Sequence, residues 1–516
     1  MEAQAVAGPS RRALVFIGFM GAGKTSAARA AAGALDTRAI DADHEIERRL
    51  GTSIDAHFAT HGEASFRRLE ERVVAALLEH PPTPVLSLGG GAVLSPRVRD
   101  LLRRHTVVLL DVDVETAWRR CGNRRRPLAR DREAFAALHA QRAPLYESVA
   151  DAVLIDSSRE AVRHAVPALR TLARAPAGTK LLWAVAASGS YPVHVGEGLV
   201  GSGFWPVPGR RFVISDEAVG PLYGHRLPEP IAELRIPTGE EHKTLATVER
   251  LLRGLAAAGM DHDDHVVALG GGVVGDVAGF CAAVYQRGVR VVQVPTTLVA
   301  QVDSAYGGKT GVDLPEGKNY AGAYHQPSAV VVDPATLSTL PEAELAAGWA
   351  EVIKTALIAG GPLWERVRAG AALDRDLLLA CARTKLAVVA SDERDSGRRQ
   401  TLNLGHTVGH AIETATGYRR YRHGEAVGLG LLAALTLSGQ AELRAEVAAL
   451  LAARGLPVTL DDSVDVDAVL AAVGRDKKRR GGRVGFVLVE APGNVRPGWP
   501  VSEGELRAAV AELRGG

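Results

Sequence analysis

Short apolar runs alternate with longer segments of helical periodicity along the first 175 residues. In the longer segments, apolar residues recur every three or four positions, as they do on one face of an amphipathic helix. Strands and helices that alternate in this way predict a parallel sheet with helices on both faces. The predicted strands are 13–18, 38–41, 84–88, 106–110 and 152–155.

A second alternation of the same kind follows, and the pattern is then helical for most of the chain beyond residue 341. The predicted strands of this part are 192–195, 212–215, 231–237, 265–269 and 291–295. Between the two alternations, the segment 171–180 loses its periodicity and is rich in Ala, Pro and Gly, which favours a short linker. We therefore predict an α/β chain with a first domain at 11–173, a linker at 174–182, a second α/β domain at 183–339 and a mostly α-helical domain at 340–516.

The first predicted strand runs into a phosphate-binding loop, Gly18-x4-Gly23-Lys24-Thr25, which opens a helix. Glycines in such a loop turn backbone N–H groups toward the phosphates, the lysine reaches the β- and γ-phosphates, and the hydroxyl binds Mg²⁺. The strand–loop–helix context makes this the most specific single motif of the chain. Asp41 and Asp43 follow the next strand, at the carboxyl edge where parallel sheets bind ligands, and carboxylates there suit Mg²⁺ or a proton.

Several spaced stretches make residues 13–172 resemble shikimate kinase: GFMGAGKTS, DADHEIE, GTSIDAHFATHGEASFRRLE, SLGGGAV, RRRPL and QRAPLYE. The resemblance implies an ATP site made of Gly21, Gly23, Lys24, Thr25, Ser26, Arg120 and Arg126, with Thr25 and Asp41 close to Mg²⁺. It also implies that shikimate is held by Asp43, Arg67, Gly90 and Arg142, and that the catalytic residues are Lys24, Asp43 and Arg126. Arginine forks suit the carboxylate of a small polyol acid.

The segment 270–276, GGGVVGD, follows a predicted strand, opens a helix and fits the pattern G-x-G-x-x-G. Glycines at this spacing permit the close approach of a dinucleotide pyrophosphate, as in a Rossmann-like domain. A tight strand–helix turn explains the pattern equally well, and no acidic residue ends a strand about twenty residues later. Asp216, which ends an earlier strand, is an alternative acidic candidate, and Glu240 and Lys243 lie nearby in the sequence.

Three histidines, an asparagine and an arginine lie within the segment 399–425. His406 and His410 are four residues apart and so share one helix face, which suits a metal site but also describes two solvated histidines. Upstream, Glu351 and Lys354 lie off the apolar stripe of their predicted helix, and a surface ion pair is one interpretation. The other interpretation is that Glu351 and two distant histidines form a three-ligand zinc site with an open position.

A second set of stretches makes the chain from about residue 183 onward resemble 3-dehydroquinate synthase: PTGEEHKT, ALGGGVVGDVAGF, VPTTLVAQVDSAYGGKTGVDLPEGKN, WAEVIKTALI, TLNLGHTVGHAIE, HGEAV and DKKRRGG. The resemblance implies that Zn²⁺ (or Co²⁺) is held by Glu351, His406 and His423, with His410 facing the substrate. The implied NAD⁺ site is Asp216, Glu240, Lys243, Gly271, Gly272, Asp276, Thr296, Thr297, Lys309 and Lys318.

The same resemblance implies a substrate site rich in cations. Its binding residues are Arg287, Asp303, Asn319, Lys385, Asn403 and Lys477 or Lys478, and its catalytic residues are Lys309, Lys354, Arg399 and His410. Three positions depart from the family pattern. Tyr306 replaces a small residue and would crowd the substrate loop, Asp313 replaces an asparagine, and Asp395 replaces a glutamate.

The two resemblances together imply one chain with two enzymes of the shikimate route. One phosphorylates shikimate with ATP, and the other converts 3-deoxy-arabino-heptulosonate 7-phosphate to 3-dehydroquinate and phosphate with NAD⁺ and zinc. A related sugar-phosphate cyclase, a metal-dependent polyol dehydrogenase and one inactive half remain alternatives. Only nine of the 61 basic residues are lysine, and the four at 309, 318, 354 and 385 disfavour a dehydrogenase, which needs no phosphate clamp. Family resemblance also implies a homodimer through the synthase half.

Composition narrows the class of partner. The net charge is only +2, from 61 basic and 59 acidic residues, which disfavours a dedicated nucleic-acid binder. The three cysteines have no metal or redox spacing, as is typical of a reducing cytosol. No apolar stretch precedes Arg11, and no apolar run reaches membrane-spanning length. We therefore expect a cytoplasmic enzyme with small-molecule substrates and without nucleic-acid or membrane partners.

Overall fold

A computed structural model describes residues 12–121, 131–479 and 485–515, and for residues 475–479 it describes the backbone. The chain divides into two compact units. Unit 1 is Met1–Val185 with Ser190–His194, and unit 2 is Ala186–Gly189 with Val195–Gly516. In the part of the chain that the structure describes, no helix has the length and apolar character that a membrane crossing requires.

Unit 1 is built on a sheet in which neighbouring strands from β2 to β6 run parallel, as the alternating pattern predicted. Its strands are β1 Leu14–Ile17, β2 Ala39–Asp41, β3 Val85–Ser87, β4 Thr106–Leu110, β5 Ala152–Leu154, β6 Lys180–Ala186 and β7 Gly189–Val195, in the order β2-β3-β1-β4-β5-β6-β7. β6 begins inside the predicted linker 174–182, because Leu181, Leu182 and Trp183 are buried beside β5.

The described residues of this unit also form seven helices. They are α1 Lys24–Ala34, α2 Ala42–Leu50, α3 Ile54–Glu79, α4 Pro96–Leu102, α5 Val114–Cys121, α6 Arg132–Val149 and α7 Arg159–Leu172. α3 is interrupted at Gly62, whose φ of 76° and ψ of 171° are not helical. A single core of buried Val, Leu, Ile, Phe and Ala side chains joins the helices to the strands. The phosphate loop after β1 and the aspartates at the end of β2 are therefore attached to well-packed elements.

The first part of unit 2 contains a set of neighbouring parallel strands. Its strands are β8 Arg211–Asp216, β9 Pro230–Ile236, β10 His265–Gly270, β11 Arg290–Pro295 and β14 Ala329–Val332, in the order β14-β11-β10-β8-β9, and its helices are α8 Gly220–Tyr223, α9 Leu245–Ala257 and α10 Gly272–Val284. An antiparallel hairpin of β12 Lys309–Leu314 and β13 Gly317–Tyr324 lies outside the sheet. A π-helical turn at Ala300–Ser304 precedes the hairpin and is the kind of irregularity that is frequent at functional sites.

The remaining chain is mostly helical, as predicted, but it contains a hairpin before its last helix that the pattern did not predict. The helices are α11 Glu342–Ala359, α12 Gly361–Arg368, α13 Arg375–Ser391, α14 His406–Ala415, α15 His423–Leu437, α16 Ala441–Ala452, α17 Val466–Arg479 and α18 Glu503–Glu512, and the hairpin is β15 Phe486–Ala491 with β16 Asn494–Trp499. Short 3₁₀ turns lie at Ala92–Leu94, Gly224–Arg226, Glu240–His242, Tyr285–Arg287, Pro334–Thr339 and Arg398–Asn403.

Helix α15 is the centre of the helical part. Its residues are apolar on nearly every side, which is the pattern of a helix buried all round. Two glycines allow it to touch neighbouring backbone: a Cβ at Gly424 would overlap the carbonyl oxygen of Ala347 on α11, and one at Gly430 would overlap that of Gly405 beside α14. These close approaches bring the start of α15, the middle of α11 and the start of α14 together, and the histidines and Glu351 lie at that junction.

Candidate functional site

The phosphate loop of unit 1 has the geometry that its motif predicted. Gly23 caps α1 with φ of 90°, a conformation that favours glycine, and no side chain caps the helix, so its first N–H groups are available to an anion. Lys24 Nζ donates to the carbonyl of Phe19 at 3.1 Å. The Thr25 hydroxyl donates to Asp41 Oδ2 at 2.6 Å. A hydroxyl and a carboxylate oxygen side by side fit a Mg²⁺ ion, which prefers oxygen ligands.

The side chains predicted for shikimate lie together beside this loop. Arg67 is paired with Glu70 at 2.6 Å and with Glu63 at 3.0 Å. A Cβ at Gly89 would lie 2.5 Å from Asp43 Oδ1 and 2.8 Å from Glu70 Oε1, so both carboxylates face the third strand's glycines. Glu70 is 3% exposed, and its burial raises its pKa although the Arg67 charge opposes that rise. Glu70 thus holds the Arg67 guanidinium in place.

Arg142 and Tyr146 reach the same glycine segment from α6. Both point to the carbonyl of Gly90, with Arg142 Nη1 at 3.5 Å and the Tyr146 hydroxyl at 2.5 Å. Burial raises the pKa of Tyr146 to about 12, so it stays a hydrogen-bond donor at neutral pH. Arg120 Nη1 lies on the other side of the loop, 3.3 Å from the carbonyl of Gly21 and 3.2 Å from Ser157 Oγ. Arg126 falls outside the described residues.

In unit 2 the structure brings Glu351, His406 and His423 into one cluster, whose ligand atoms all lie within 4.8 Å of one another. Glu351 Oε1 is 3.6 Å from His406 Nε2 and 3.4 Å from His423 Nε2. Ligands of a tetrahedral zinc ion bound at about 2.0–2.1 Å stand about 3.4 Å apart, so these separations fit. The His406 Nδ1–H donates to the carbonyl of Leu404 at 3.1 Å, which leaves Nε2 free to bind a metal.

Glu351 is fully buried, and its Oε1 has no hydrogen-bond partner among the described residues. Burial raises the pKa of this carboxyl, but Lys354 and the two histidines outweigh it and hold the pKa well below its usual range. An ionised, buried carboxylate oxygen aimed at two imidazole nitrogens is the donor set of a catalytic zinc site. His410 is not part of this group of three, and it lines the adjoining pocket.

Lysines surround the cluster, and each contacts a carboxylate. Lys354 forms an ion pair with Glu351 and lies 3.8 Å from Asp303 Oδ1. Lys385 Nζ is 2.8 Å from the same Asp303 oxygen, and its burial lowers its pKa although Asp303 opposes that shift. Lys309 Nζ is 2.5 Å from Asp395 Oδ2, so the aspartate at this position is long enough to reach the lysine.

A pocket of about 1320 Å³ adjoins the cluster and is lined from both parts of unit 2, including Lys243, Lys318, His410 and Tyr418. Lys243 pairs with Asp276 at 2.7 Å, and Lys318 lies 3.4 Å from Glu240. These groups come from residues predicted to hold NAD⁺, and a pocket of this size accommodates a dinucleotide.

The glycine loop also fits a pyrophosphate. Helix α10 starts at Gly272 without a side-chain cap, so its N–H groups are available to an anion. A Cβ at Gly271 would lie 2.9 Å from Thr297 Cγ2, so a side chain there would fill the narrow space beside the loop. Asp216 Oδ1 accepts hydrogen bonds from the backbone of Ala218 and Val219, which orders the turn after β8.

Not every predicted substrate residue faces the pocket. Arg287 is exposed on a turn where it has φ of 69°, and it does not line the pocket. Arg399 is 2% exposed, and its guanidinium donates to the carbonyls of Glu393 at 2.5 Å and Gly307 at 2.9 Å. Arg399 therefore secures the loop before Lys309. Asn319 is exposed, Asn403 is half-buried, Thr296 is buried, and the Lys477 and Lys478 side chains fall outside the described residues.

Tyr306 does not stand in the pocket that its size suggested it would crowd. It is 1% exposed, and its hydroxyl donates to the carbonyl of Gln301 at 2.6 Å. The Gln301 amide in turn donates to the carbonyls of Pro295 and Asp333, at 3.1 and 3.0 Å. This buried network holds the π-helical turn that carries Asp303.

We expect Tyr306→Phe to lower the melting temperature of the protein by a few degrees, because a buried carbonyl without its donor costs about 1–3 kcal/mol. Differential scanning calorimetry measures the shift. Tyr324→Phe is the matched control, since it deletes a hydroxyl whose hydrogen bond to the Arg394 carbonyl is exposed and 3.3 Å long. Equal shifts in the two variants would contradict the structural role of the Tyr306 hydroxyl.

Sequence reasoning missed several residues at these sites. Glu70 and Tyr146 lie in quoted motif stretches, but nothing in their spacing shows that they support Arg67 and Gly90. Glu413 lies seven residues after His406, on the same face of α14, and contacts both His423 and Lys318. That seven-residue spacing was the available signal for Glu413.

Comparison with protein families matches three segments of the chain. The model described as shikimate kinase matches residues 20–172. The model for the 3-dehydroquinate synthase N-terminal region matches residues 233–347, and the model for its C-terminal region matches residues 348–479.

Curated relatives and solved structures agree with the match to the second half. The 3-dehydroquinate synthase of Gloeobacter violaceus is 45% identical over 326 residues, which are 59% of this chain and 90% of that protein. The 3-dehydroquinate synthase of Azotobacter vinelandii is 47% identical over 328 residues, which are 59% of this chain and 89% of that protein.

Two solved structures each cover 64% of this chain at a TM-score of 0.58. One is a 2-deoxy-scyllo-inosose synthase complexed with carbaglucose-6-phosphate, NAD⁺ and Co²⁺; it is 27% identical, and all of its length is covered. The other is the 2-epi-5-epi-valiolone synthase of Streptomyces hygroscopicus subsp. jinggangensis with NAD⁺ and Zn²⁺ bound; it is 28% identical, and 99% of its length is covered.

Proposed function

Because this chain belongs to the 3-dehydroquinate synthase family and carries a shikimate kinase domain ahead of the synthase, we propose that it catalyses two steps of the shikimate pathway. Unit 1 transfers a phosphoryl group from ATP to the 3-hydroxyl of shikimate. Unit 2 converts 3-deoxy-arabino-heptulosonate 7-phosphate to 3-dehydroquinate and phosphate. The fold class and both enzyme classes predicted from the sequence are confirmed by the family matches.

The observation that carries the synthase assignment is the Glu351 oxygen aimed at two histidine nitrogens within a group of lysines. Glu351, His406 and His423 would hold the metal, and the glycine loop with Lys243 and Glu240 would hold NAD⁺. When bound, zinc supplies a Lewis acid for the substrate hydroxyls and NAD⁺ a reversible hydride acceptor. Lys309, Lys354 and Lys385 would bind the substrate carboxylate and phosphate, and Asp303 would orient two of those ammonium groups.

The observation that carries the kinase assignment is the Thr25–Asp41 pair beside a phosphate loop whose helix has no side-chain cap. Lys24 would leave the Phe19 carbonyl to bind the β- and γ-phosphates. Asp43 lies beside the Arg67–Glu70 pair. It is therefore placed to accept a proton from a hydroxyl of shikimate while the shikimate carboxylate binds Arg67 and Arg142.

Phosphate release tests the synthase half. Purified protein is incubated with NAD⁺ and 3-deoxy-arabino-heptulosonate 7-phosphate, without ATP, before and after chelation and with zinc added back. NAD⁺-dependent release that chelation abolishes and zinc restores is the expected result. No release from protein that still phosphorylates shikimate would mean that unit 2 acts on a different sugar phosphate or is inactive.

We expect Gly91→Ala to raise the KM for shikimate at least about tenfold and to leave the KM for ATP unchanged. A Cβ at Gly91 would overlap the Arg67 guanidinium, which Glu70 and Glu63 hold, so the arginine must leave its position. Steady-state kinetics with each substrate varied in turn measures the effect.

The control is Gly33→Ala on α1, where an added Cβ meets no atom within 4 Å and should be neutral or slightly stabilising. A Gly91→Ala enzyme with an unchanged KM for shikimate would place the carboxylate site elsewhere.

We further propose that the protein works in the cytoplasm and forms a homodimer through unit 2. The cysteine spacing supports the first proposal, and family membership supports the second. Sedimentation of the intact chain and of a variant altered in unit 2 would test the dimer.

A further inference from the structure

Glu413 lies on the same face of α14 as His406 and His410, and it is 2% exposed. Its Oε1 is 3.5 Å from His423 Nδ1 and 3.3 Å from Lys318 Nζ. Its Oε2 has no hydrogen-bond partner among the described residues. One buried carboxylate thus stands between a ligand of the metal cluster and a cation of the large pocket.

The His423 ring lies between two carboxylates. Its Nε2 faces Glu351 in the metal cluster, and its Nδ1 faces Glu413. A metal-binding histidine whose second nitrogen donates to a carboxylate is fixed in its tautomer and ring orientation and becomes a more basic ligand. Glu413 has the position to do this for His423.

The Lys318 ammonium contacts three side chains. Glu413 Oε1 and Glu240 Oε1 lie 3.3 and 3.4 Å from it, and the centre of the Tyr418 ring lies 4.7 Å away. Without Glu413, Glu240 would be the carboxylate that stays within ion-pair distance of Lys318, so the ammonium would lose one of these two charged contacts.

We propose that Glu413 is a positioning residue that orients His423 for the metal and Lys318 for NAD⁺, and so links the two binding sites. The inference rests on the proposed function of unit 2 and goes beyond it. A competing interpretation makes Glu413 a ligand of a second metal ion, together with His410 and His423. The Lys318 ammonium disfavours a second cation there, because it lies 3.3 Å from the Glu413 oxygen that would have to bind the ion.

The test uses Glu413→Gln in the full chain, which keeps the size of the side chain and removes its charge. Zinc affinity is measured by competition with a chromophoric chelator, and the Co²⁺ form is examined by visible absorption. NAD⁺ affinity is measured by equilibrium dialysis at saturating zinc. We expect zinc affinity to fall about 10–100-fold, the Co²⁺ spectrum to change, and the Kd for NAD⁺ to rise at least about threefold.

Glu446→Gln is the matched control, since Glu446 pairs with Arg368 on the surface, away from the cluster, and should alter neither affinity. Unchanged zinc affinity, an unchanged or lower Kd for NAD⁺, or two zinc ions bound per wild-type chain would each overturn the proposal. None of these measurements uses the sugar phosphate. A wild-type protein that releases no phosphate would therefore refute the proposed function while the binding results still decide the role of Glu413.

Discussion

Replacing Glu351 by glutamine is expected to reduce NAD⁺-dependent phosphate release by about 10³-fold or more and to leave the phosphorylation of shikimate unchanged. Glu351 is the one charged ligand of the metal cluster, and a bound metal contributes several kcal/mol of charge stabilisation to such a reaction. Among the described residues, the variant also leaves Lys354 with Asp303 as its carboxylate partner, at the longer distance of 3.8 Å. Both activities and the zinc content are measured on the same preparation.

Glu344→Gln is the control for this substitution, because Glu344 lies on the same helix and forms an exposed ion pair with Arg422. Its effect on phosphate release should be small. A Glu351→Gln protein that keeps its zinc and its synthase activity would remove Glu351 from the ligand set. If the kinase activity fell in parallel, the loss would instead reflect damage to the whole chain.

The second large effect is expected from Lys24→Met, which should lower shikimate phosphorylation about 10²–10³-fold while phosphate release by unit 2 stays unchanged. Methionine keeps the length of the side chain but cannot neutralise charge on the transferred phosphoryl group. Its thioether also loses the hydrogen bond to the Phe19 carbonyl. ADP formation with saturating shikimate measures the kinase, and a substrate titration separates kcat from KM.

Arg29→Met is the control here, because Arg29 is an exposed cation on the same helix and lies outside the phosphate loop. It should leave both activities intact. A Lys24→Met enzyme that keeps more than a tenth of its kinase rate would exclude Lys24 from the transition state. Together with Glu351→Gln, this variant tests whether each activity belongs to one unit.

Motifs whose meaning is local were predictable from the sequence. The phosphate loop, the strand Thr106–Leu110 and the parallel order of strands and helices follow from short-range patterns, and the structure has them. Only the resemblance to a family distinguished Glu351, His406 and His423, as expected metal ligands, from the other acids and histidines of the chain. Their residue spacing alone does not place α11, α14 and α15 at one point.

Other features depend on contacts between distant segments. The hairpin β12–β13 is rich in glycine and lacks the alternation that identifies a strand, so its pairing was not predictable. Arg399 was expected to bind substrate, yet its partners are two backbone carbonyls, which no side-chain pattern reveals. Glu413 gains its importance only when α15 brings His423 beside it.

The carboxylate partners of the lysines determine how anionic ligands bind in the synthase pocket. Five ammonium groups around it each already have a nearby acid, namely those of Lys243, Lys309, Lys318, Lys354 and Lys385. An arriving anion therefore exchanges partners with these acids instead of meeting an unbalanced positive surface. The electrostatic field of these paired charges is weak beyond the Debye length, which is about 10 Å at 0.1 M salt. Long-range electrostatic steering therefore contributes little to the binding rate of an anionic ligand. The association rate of an anionic ligand with this pocket should then depend weakly on ionic strength. The pocket distinguishes one anion from another through direct contacts with the bound ligand.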